Sequence, residues 1–156
     1  MPDRVAIARK LITDSLYLSL GTADAAGTPW VTPVFFTPDG YTDFYWVSSP
    51  ETQHSRNLGE RAEAAIAIFD THAVIGAAEA VYLKATAGQV SDADLEPALA
   101  IFNGKLPESK HFELAELVAP AAFRLYRATA VEQSVLIRGG DPEYGKGADS
   151  RLVVTL

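Results

Sequence analysis

From Ser15 to Ser48 the chain changes the side it presents at almost every residue, and a period of two belongs to a strand. In SLYLSLGTA, Leu16, Leu18 and Leu20 alternate with Tyr17 and Ser19, and DAAG at 24–27 precedes TPWVTPVFF. Apolar alternation on both sides of turn residues predicts a hairpin. TPDGYT at 37–42 carries proline, aspartate and glycine in the order of a tight turn, and DFYWVSS follows it, so a three-stranded meander is expected. Pro33 lies inside the second strand and brings no ladder donor. It is confined to an edge, a bulge, or a place where something other than a strand lies alongside.

The rest of the chain interleaves short helices with further strands. DRVAIARKLITD sets Val5, Ile7, Ala8, Leu11 and Ile12 largely on one face, with Asp3 as its cap, which predicts an amphipathic lead-in helix. SPETQHSRNLGER predicts a short helix with Ser49 before Pro50 at its first position and Gly59 near its end. The runs AEAAIAIFD and AAEAVYLKATAGQVS read as strands. DADLEPALAIFNGK reads as a helix capped by Ser91 or Asp92, KHFELAELV as a second helical stretch, and AFRLYRATAVEQSVLIR as two strands or one bent strand. No repeat or linker divides the sequence, so residues 1–156 form a single domain. Six or seven short strands in hairpin order with inserted helices predict a β-rich α+β fold built on an antiparallel barrel.

The net charge of −7 and pI near 4.9 argue against an extended grip on nucleic acid or an anionic membrane, since counterion release needs a cationic face. With no cysteine there is no thiolate nucleophile or zinc-thiolate site, so any redox chemistry comes from a bound cofactor. The N-terminal stretch shows neither a membrane span nor a signal peptide, and the expectation is a soluble cytoplasmic protein. His54, His72 and His111 stand in no metal-binding spacing, so no metal site is predicted, and no G-x-S-x-G elbow is present. The loop IRGGDPEYGKGADS lacks the spacing of a phosphate loop. It reads as a flexible surface loop or terminal arm.

YWVSSPETQHSRNL at 45–58 is different, because several signals coincide there. A helix start exposes unpaired N–H groups and the positive end of the dipole, and Ser48, Ser49 and Thr52 add hydroxyls. His54 and Arg56 fall in the next turn, within reach of a phosphate. An ordinary cap with Arg56 in solvent is the alternative, and Glu51 partly competes with an incoming anion.

The order strand, turn, WVTPVFF, turn, DFYWVSS, TxHSRNL and apolar strand resembles the FMN-binding split β-barrel superfamily that includes pyridoxamine 5′-phosphate oxidase. The resemblance covers residues 8–90 well and the last third by pattern. It implies a split antiparallel barrel of six to seven strands with short peripheral helices, forming a homodimer with flavin at the interface. By the same resemblance Thr32, Pro33 and Val34 would line the ring, with Val47 and Ser48 at the ribityl chain and phosphate. Ser49, Thr52, His54, Ser55 and Arg56 would complete the phosphate seat. The family commonly opens this helix with a basic pair, whose places here are held by Gln53 and His54. The function implied is an FMN-dependent oxidoreductase acting on a small molecule, with no side chain required as acid or base. The rivals are a deazaflavin-dependent reductase, a non-catalytic FMN-binding protein and, more distantly, a heme-binding barrel using His72 or His111.

Overall fold

The computed structural model describes residues 3–156. Eight antiparallel strands form one sheet that curls around the larger of two apolar clusters, with three α-helices outside it. The strands are β1 (Tyr17–Ala23), β2 (Pro29–Phe35), β3 (Thr37–Asp39), β4 (Asp43–Ser48), β5 (Glu63–Phe69), β6 (Ala80–Gln89), β7 (Arg124–Ile137) and β8 (Ser150–Val154). The helices are α1 (Arg4–Asp14), α2 (Gln53–Glu60) and α3 (Asp92–Asn103). The sheet order is β2-β1-β5-β6-β7-β4-β3, with β8 also paired to β7. This is the split β-barrel of a β-rich α+β protein.

The β1–β2 hairpin forms as expected, with Tyr17 opposite Phe35 and Ala23 opposite Pro29. The meander does not: β4 leaves β2 and pairs with β7, Phe44 lying opposite Ala128. Two features redirect the chain. Phe36, fully buried, and Thr37, whose hydroxyl donates to the Phe102 carbonyl at 2.9 Å, turn the backbone inward after Phe35. Pro33, on the free side of β2, has no N–H to offer a third strand.

The core sits inside the curl, where Leu18, Leu20, Phe36, Phe44, Trp46, Ile66, Leu83 and Tyr126 meet. A second apolar cluster outside β4 and β7 buries α3 through Leu95, Leu99 and Phe102 against Tyr45 and Leu125. In place of a continuous helix over KHFELAELV at 110–118, one 3-10 turn, Glu108–Lys110, ends at its first residue and a second spans Leu114–Leu117. β7 is one strand of 14 residues, and Val131 is the residue left over where Lys84 pairs with Glu132 but Ala85 pairs with Ala130.

The glycine-rich segment is not a loose arm. Asp141 accepts from the Glu143 and Tyr144 N–H groups at 2.9 and 2.8 Å and pairs with Arg4 of α1. A Cβ on Gly145 would lie 2.4 Å from the Asp141 carbonyl oxygen. Glycine is demanded there by close packing, not by mobility. No helix among the described residues is long and apolar enough to cross a membrane.

Candidate functional site

The sheet path ends at β2 on one side and at β3, paired to β4, on the other, and the predicted site residues divide between β2 and the β4–α2 segment. β2 has one partner, so half of its backbone is unpaired. The Phe36 N–H to Leu16 carbonyl bond of 3.1 Å and the Asp24 N–H to Thr28 carbonyl bond of 3.1 Å fix the phase of the ladder. Antiparallel pairs alternate between bonded and non-bonded, so 19/33, 21/31 and 17/35 are the non-bonded pairs. Val31, Pro33 and Phe35 therefore direct their backbone groups toward the open edge. Thr32 and Val34 spend theirs on β1.

This phase separates the three ring residues suggested by sequence. Pro33 lies on the open edge, Thr32 is half-buried on the barrel side, and Val34 is buried in the core. Val31 and Phe35, not singled out from sequence, supply the free edge N–H groups. The signal that finds them is Pro33 with a period of two on either side. Beyond Phe35 the strand is closed off by Lys105, whose ammonium donates to the Ser15 and Phe36 carbonyls and lies 4.2 Å from the Phe36 ring centre. Partial burial lowers its pKa.

At the other end of the edge, α2 begins with Thr52 as its cap, not with Ser49 and Pro50. The Thr52 Oγ1 accepts from the Ser55 N–H at 3.3 Å, while the Ser49 Oγ accepts from the Glu51 N–H at 3.1 Å. Pro50 and Glu51 lie in the turn before the helix because Thr52 offers a β-branched hydroxyl in the extended conformation a cap requires. Val47 is half-buried toward the α3 cluster, and Ser48 faces the barrel end.

His54 turns inward. It is 7 % exposed, with Nε2 2.8 Å from the Ser48 Oγ and 3.2 Å from the Thr52 Oγ1. Burial without a carboxylate partner lowers its pKa below 6.5, so at neutral pH the ring is uncharged and Nε2 can accept the Ser48 hydroxyl proton. Arg56 turns the other way, into solvent, where it pairs with Glu51 at 2.8 Å. That draws the Glu51 carboxylate to the outer side of the helix. Asn57 anchors α2 to the barrel, donating to the Thr22 Oγ1 at 3.0 Å and accepting from the Gln53 Nε2 at 2.8 Å.

The buried imidazole has a consequence for stability. Its native pKa lies below the unfolded value, so between the two the unfolded chain binds more protons than the native protein. Stability contributed by the neutral ring is present above about pH 6.5 and is lost as pH falls toward the depressed native value. Urea unfolding from pH 8 to pH 5 should show an acid-side decline that His54→Gln flattens. Parallel curves for the two proteins would contradict it.

The outer face of the sheet is carpeted by small residues, with Gly21, Ala65 and Ala67 flanked by exposed Tyr17, Val31, Phe69 and Val153. An open groove of about 880 Å³ runs from there between α1, the start of β1 and the segment 70–79, with Pro33, Ser19 and Ala67 on its floor. His72 stands at its rim, with Nδ1 3.6 Å from the Asp70 carboxylate. His111 is elsewhere, with Nε2 3.0 Å from the Leu106 carbonyl. Among the described residues no group of three or more His, Asp and Glu side chains is placed to hold a metal ion.

The sequence model of the pyridoxamine 5′-phosphate oxidase family matches residues 6–132. No curated protein sequence matches the chain. Among solved structures, a heme binding protein from Mycobacterium smegmatis superposes with a TM-score of 0.72 at 20% identity, over 98% of this chain and 59% of the other. The chain thus spans less than two thirds of that protein's length. The heme storage protein HutZ from Vibrio cholerae gives 0.69 at 23% identity, over 89% and 97% of the two chains. A FAD-binding protein from Mesorhizobium loti gives 0.66 at 17%, over 84% and 90%. At these identities the likeness is one of fold.

Proposed function

The chain belongs to the pyridoxamine 5′-phosphate oxidase family, and from that premise we propose that it is an FMN-dependent oxidoreductase acting on a small molecule. The ring lies along the open edge of β2 and the phosphate at the β4–α2 turn. The observation that carries this reading is the unpaired edge, with Pro33 in the phase that faces away from β1 and a helix start at its end. Bound FMN supplies hydride or electron transfer, which is the chemistry of the ring itself. The chain supplies position. Val31 and Phe35 offer backbone donors to the ring edge, Thr32, Pro33 and Val34 shape the wall behind it, and Val47 borders the ribityl chain. Ser48, Ser49, Thr52 and Ser55 offer hydroxyls to the phosphate, while His54 serves as an uncharged brace for Ser48. Arg56, held by Glu51, is the predicted site residue that faces away from the seat.

The small-residue outer face is the surface for a second copy of the chain. Its exposed Val31, Tyr17, Phe69 and Val153 surround a floor low enough for close approach, which would also cover the ring. In sedimentation measurements the protein should be a dimer, and Val31→Asp should shift it toward monomer and release flavin together. A monomer that keeps full flavin occupancy would overturn this arrangement.

Heme is the second reading, favoured by His72. Its imidazole is exposed at the rim of the groove, with Nδ1 3.6 Å from an Asp70 carboxylate that accepts from the His72 backbone N–H, so a small rotation would let that carboxylate orient a metal-binding ring. Titrating the purified protein with FMN, a 5-deazaflavin and heme separates these readings. FMN binding with fluorescence quenching is expected. A heme absorption band that His72→Ala abolishes, with no flavin bound, would replace the flavin reading, and preferential 5-deazaflavin binding would move the protein to the deazaflavin reductases. FMN that binds but turns over with no acceptor would mark a non-catalytic carrier.

A further inference from the structure

We infer that Arg124 is the cation that grips the phosphate of the bound flavin, in the role the sequence assigns to Arg56; this rests on the flavin reading above. The first turn of α2 has no cation of its own to offer. Gln53 is neutral and bonded to Asn57, His54 is buried and uncharged, and Arg56 is tied to Glu51 on the outer side. Hydroxyls and N–H groups alone leave a phosphate's charge without a countercharge, and a charge-assisted fork is the stronger grip.

β7 brings that cation from across the sheet. Its first residues, RLYR, contain two arginines, and register tells them apart. Arg127 lies opposite Tyr45, on the face that packs against α3. Arg124 lies opposite Ser48, on the same face as the Trp46–Tyr126 pair, and directly opposed residues bring their Cβ atoms to about 4.5–5.5 Å. The Ser48 hydroxyl is the group that His54 braces. Arg124, Ser48 and the start of α2 therefore share one end of the barrel.

The guanidinium is also positioned and free. Its Nη1 donates to the Ala121 and Phe123 carbonyls, both at 2.6 Å, which anchors the side chain at the start of β7. Among the described residues no carboxylate pairs with it; the same is true of Arg9, Arg61, Arg127 and Arg151, so it is the register opposite Ser48 that singles it out. A half-buried arginine without a counterion, opposite the serine that His54 braces, is a seat for an outside anion. Nη2 and Nε remain as donors for two phosphate oxygens.

Riboflavin, with the same ring and ribityl chain but no phosphate, separates this contact from the rest of the site. Binding of FMN and of riboflavin is measured on the full-length protein and on Arg124→Ala, Arg124→Lys and Arg56→Ala. Arg124→Ala should weaken FMN by about 10- to 100-fold, the effect of losing a hydrogen-bonded charge, and leave riboflavin unchanged. Arg124→Lys should fall between, keeping charge but losing the fork, and Arg56→Ala should bind FMN as the parent does. Equal loss of both ligands, or no loss of FMN, overturns the assignment while the flavin reading stands. If Arg124→Ala does not fold, the FMN-to-riboflavin affinity ratio of Arg124→Lys decides, a fall supporting the contact and an unchanged ratio overturning it. Failure of the parent protein to bind either ligand would sink the flavin reading, and this inference with it.

Discussion

Replacing Asp141 by alanine is expected to lower folding stability by about 3–5 kcal/mol, the cost of stranding one half of a buried ion pair. The Asp141 side chain is 3 % exposed and its partner Arg4 13 %. Glu79 is a poor substitute, 3.5 Å away with a side chain 36 % exposed. The same carboxylate also caps the turn through the Glu143 and Tyr144 N–H groups, so its removal loosens both the β7–β8 hairpin and the seat of α1. Asp141→Asn should be less damaging, because the amide oxygen can still accept the turn bonds. Urea denaturation with tryptophan fluorescence checks this; a loss under about 1 kcal/mol, the worth of an exposed pair, would show that Arg4 is not held as described.

Trp46→Ala should cost about as much, roughly 3–5 kcal/mol, through loss of buried contacts and the cavity left behind. Trp46 is fully buried and stacks on Tyr126 with ring centres 5.8 Å apart and planes 12° from parallel. Its indole nitrogen has no hydrogen-bond partner, so the N–H carries a desolvation cost without return. Trp46→Phe should therefore be far milder than Trp46→Ala, since it removes volume and also removes the orphan donor. Equal losses in the two variants would mean that the N–H, not the ring, is what the site requires.

Sequence made the local features legible and left the distant ones dark. The β1–β2 hairpin, the Asp3 cap of α1 and the strands flanking α2 follow from alternation and turn residues that lie next to one another in the chain. The partner of β4 does not, because Phe44 and Ala128 carry no local sign of each other and the bend at Phe36 depends on the finished core. Within the site, the cluster of hydroxyls at residues 48–55 was visible as composition. The burial of His54, which sets its charge, and the outward turn of Arg56 toward Glu51 come only with the tertiary structure. Arg124 was visible as one of two basic residues in RLYR, but cross-strand register was needed to separate it from Arg127. The segment from Gly139 to Gly147 is the surface loop its composition suggests, but glycine serves tight turns and loose chains alike, and only the close approach of neighbouring backbone shows that Gly139 and Gly145 serve the former.

β7 has a bearing on how the protein is made. It pairs with β6 along one side and with β4 and then β8 along the other, so among the described strands it carries the hydrogen-bonded ladder from the β1–β2 side of the sheet to β4. On a ribosome the β3–β4 hairpin is made before its sheet partner, and the outer edge of β4 stays unpaired until β7 has been synthesised. Loop closure over so long a segment makes that pairing a slow step. A nascent chain halted before residue 124 can build the β1–β2 hairpin and its β5–β6 neighbours but not their connection to β4. Completion of the proposed seat thus waits on the synthesis of β7, and in the interval the Phe44–Trp46 strand is the segment most in need of a chaperone's cover.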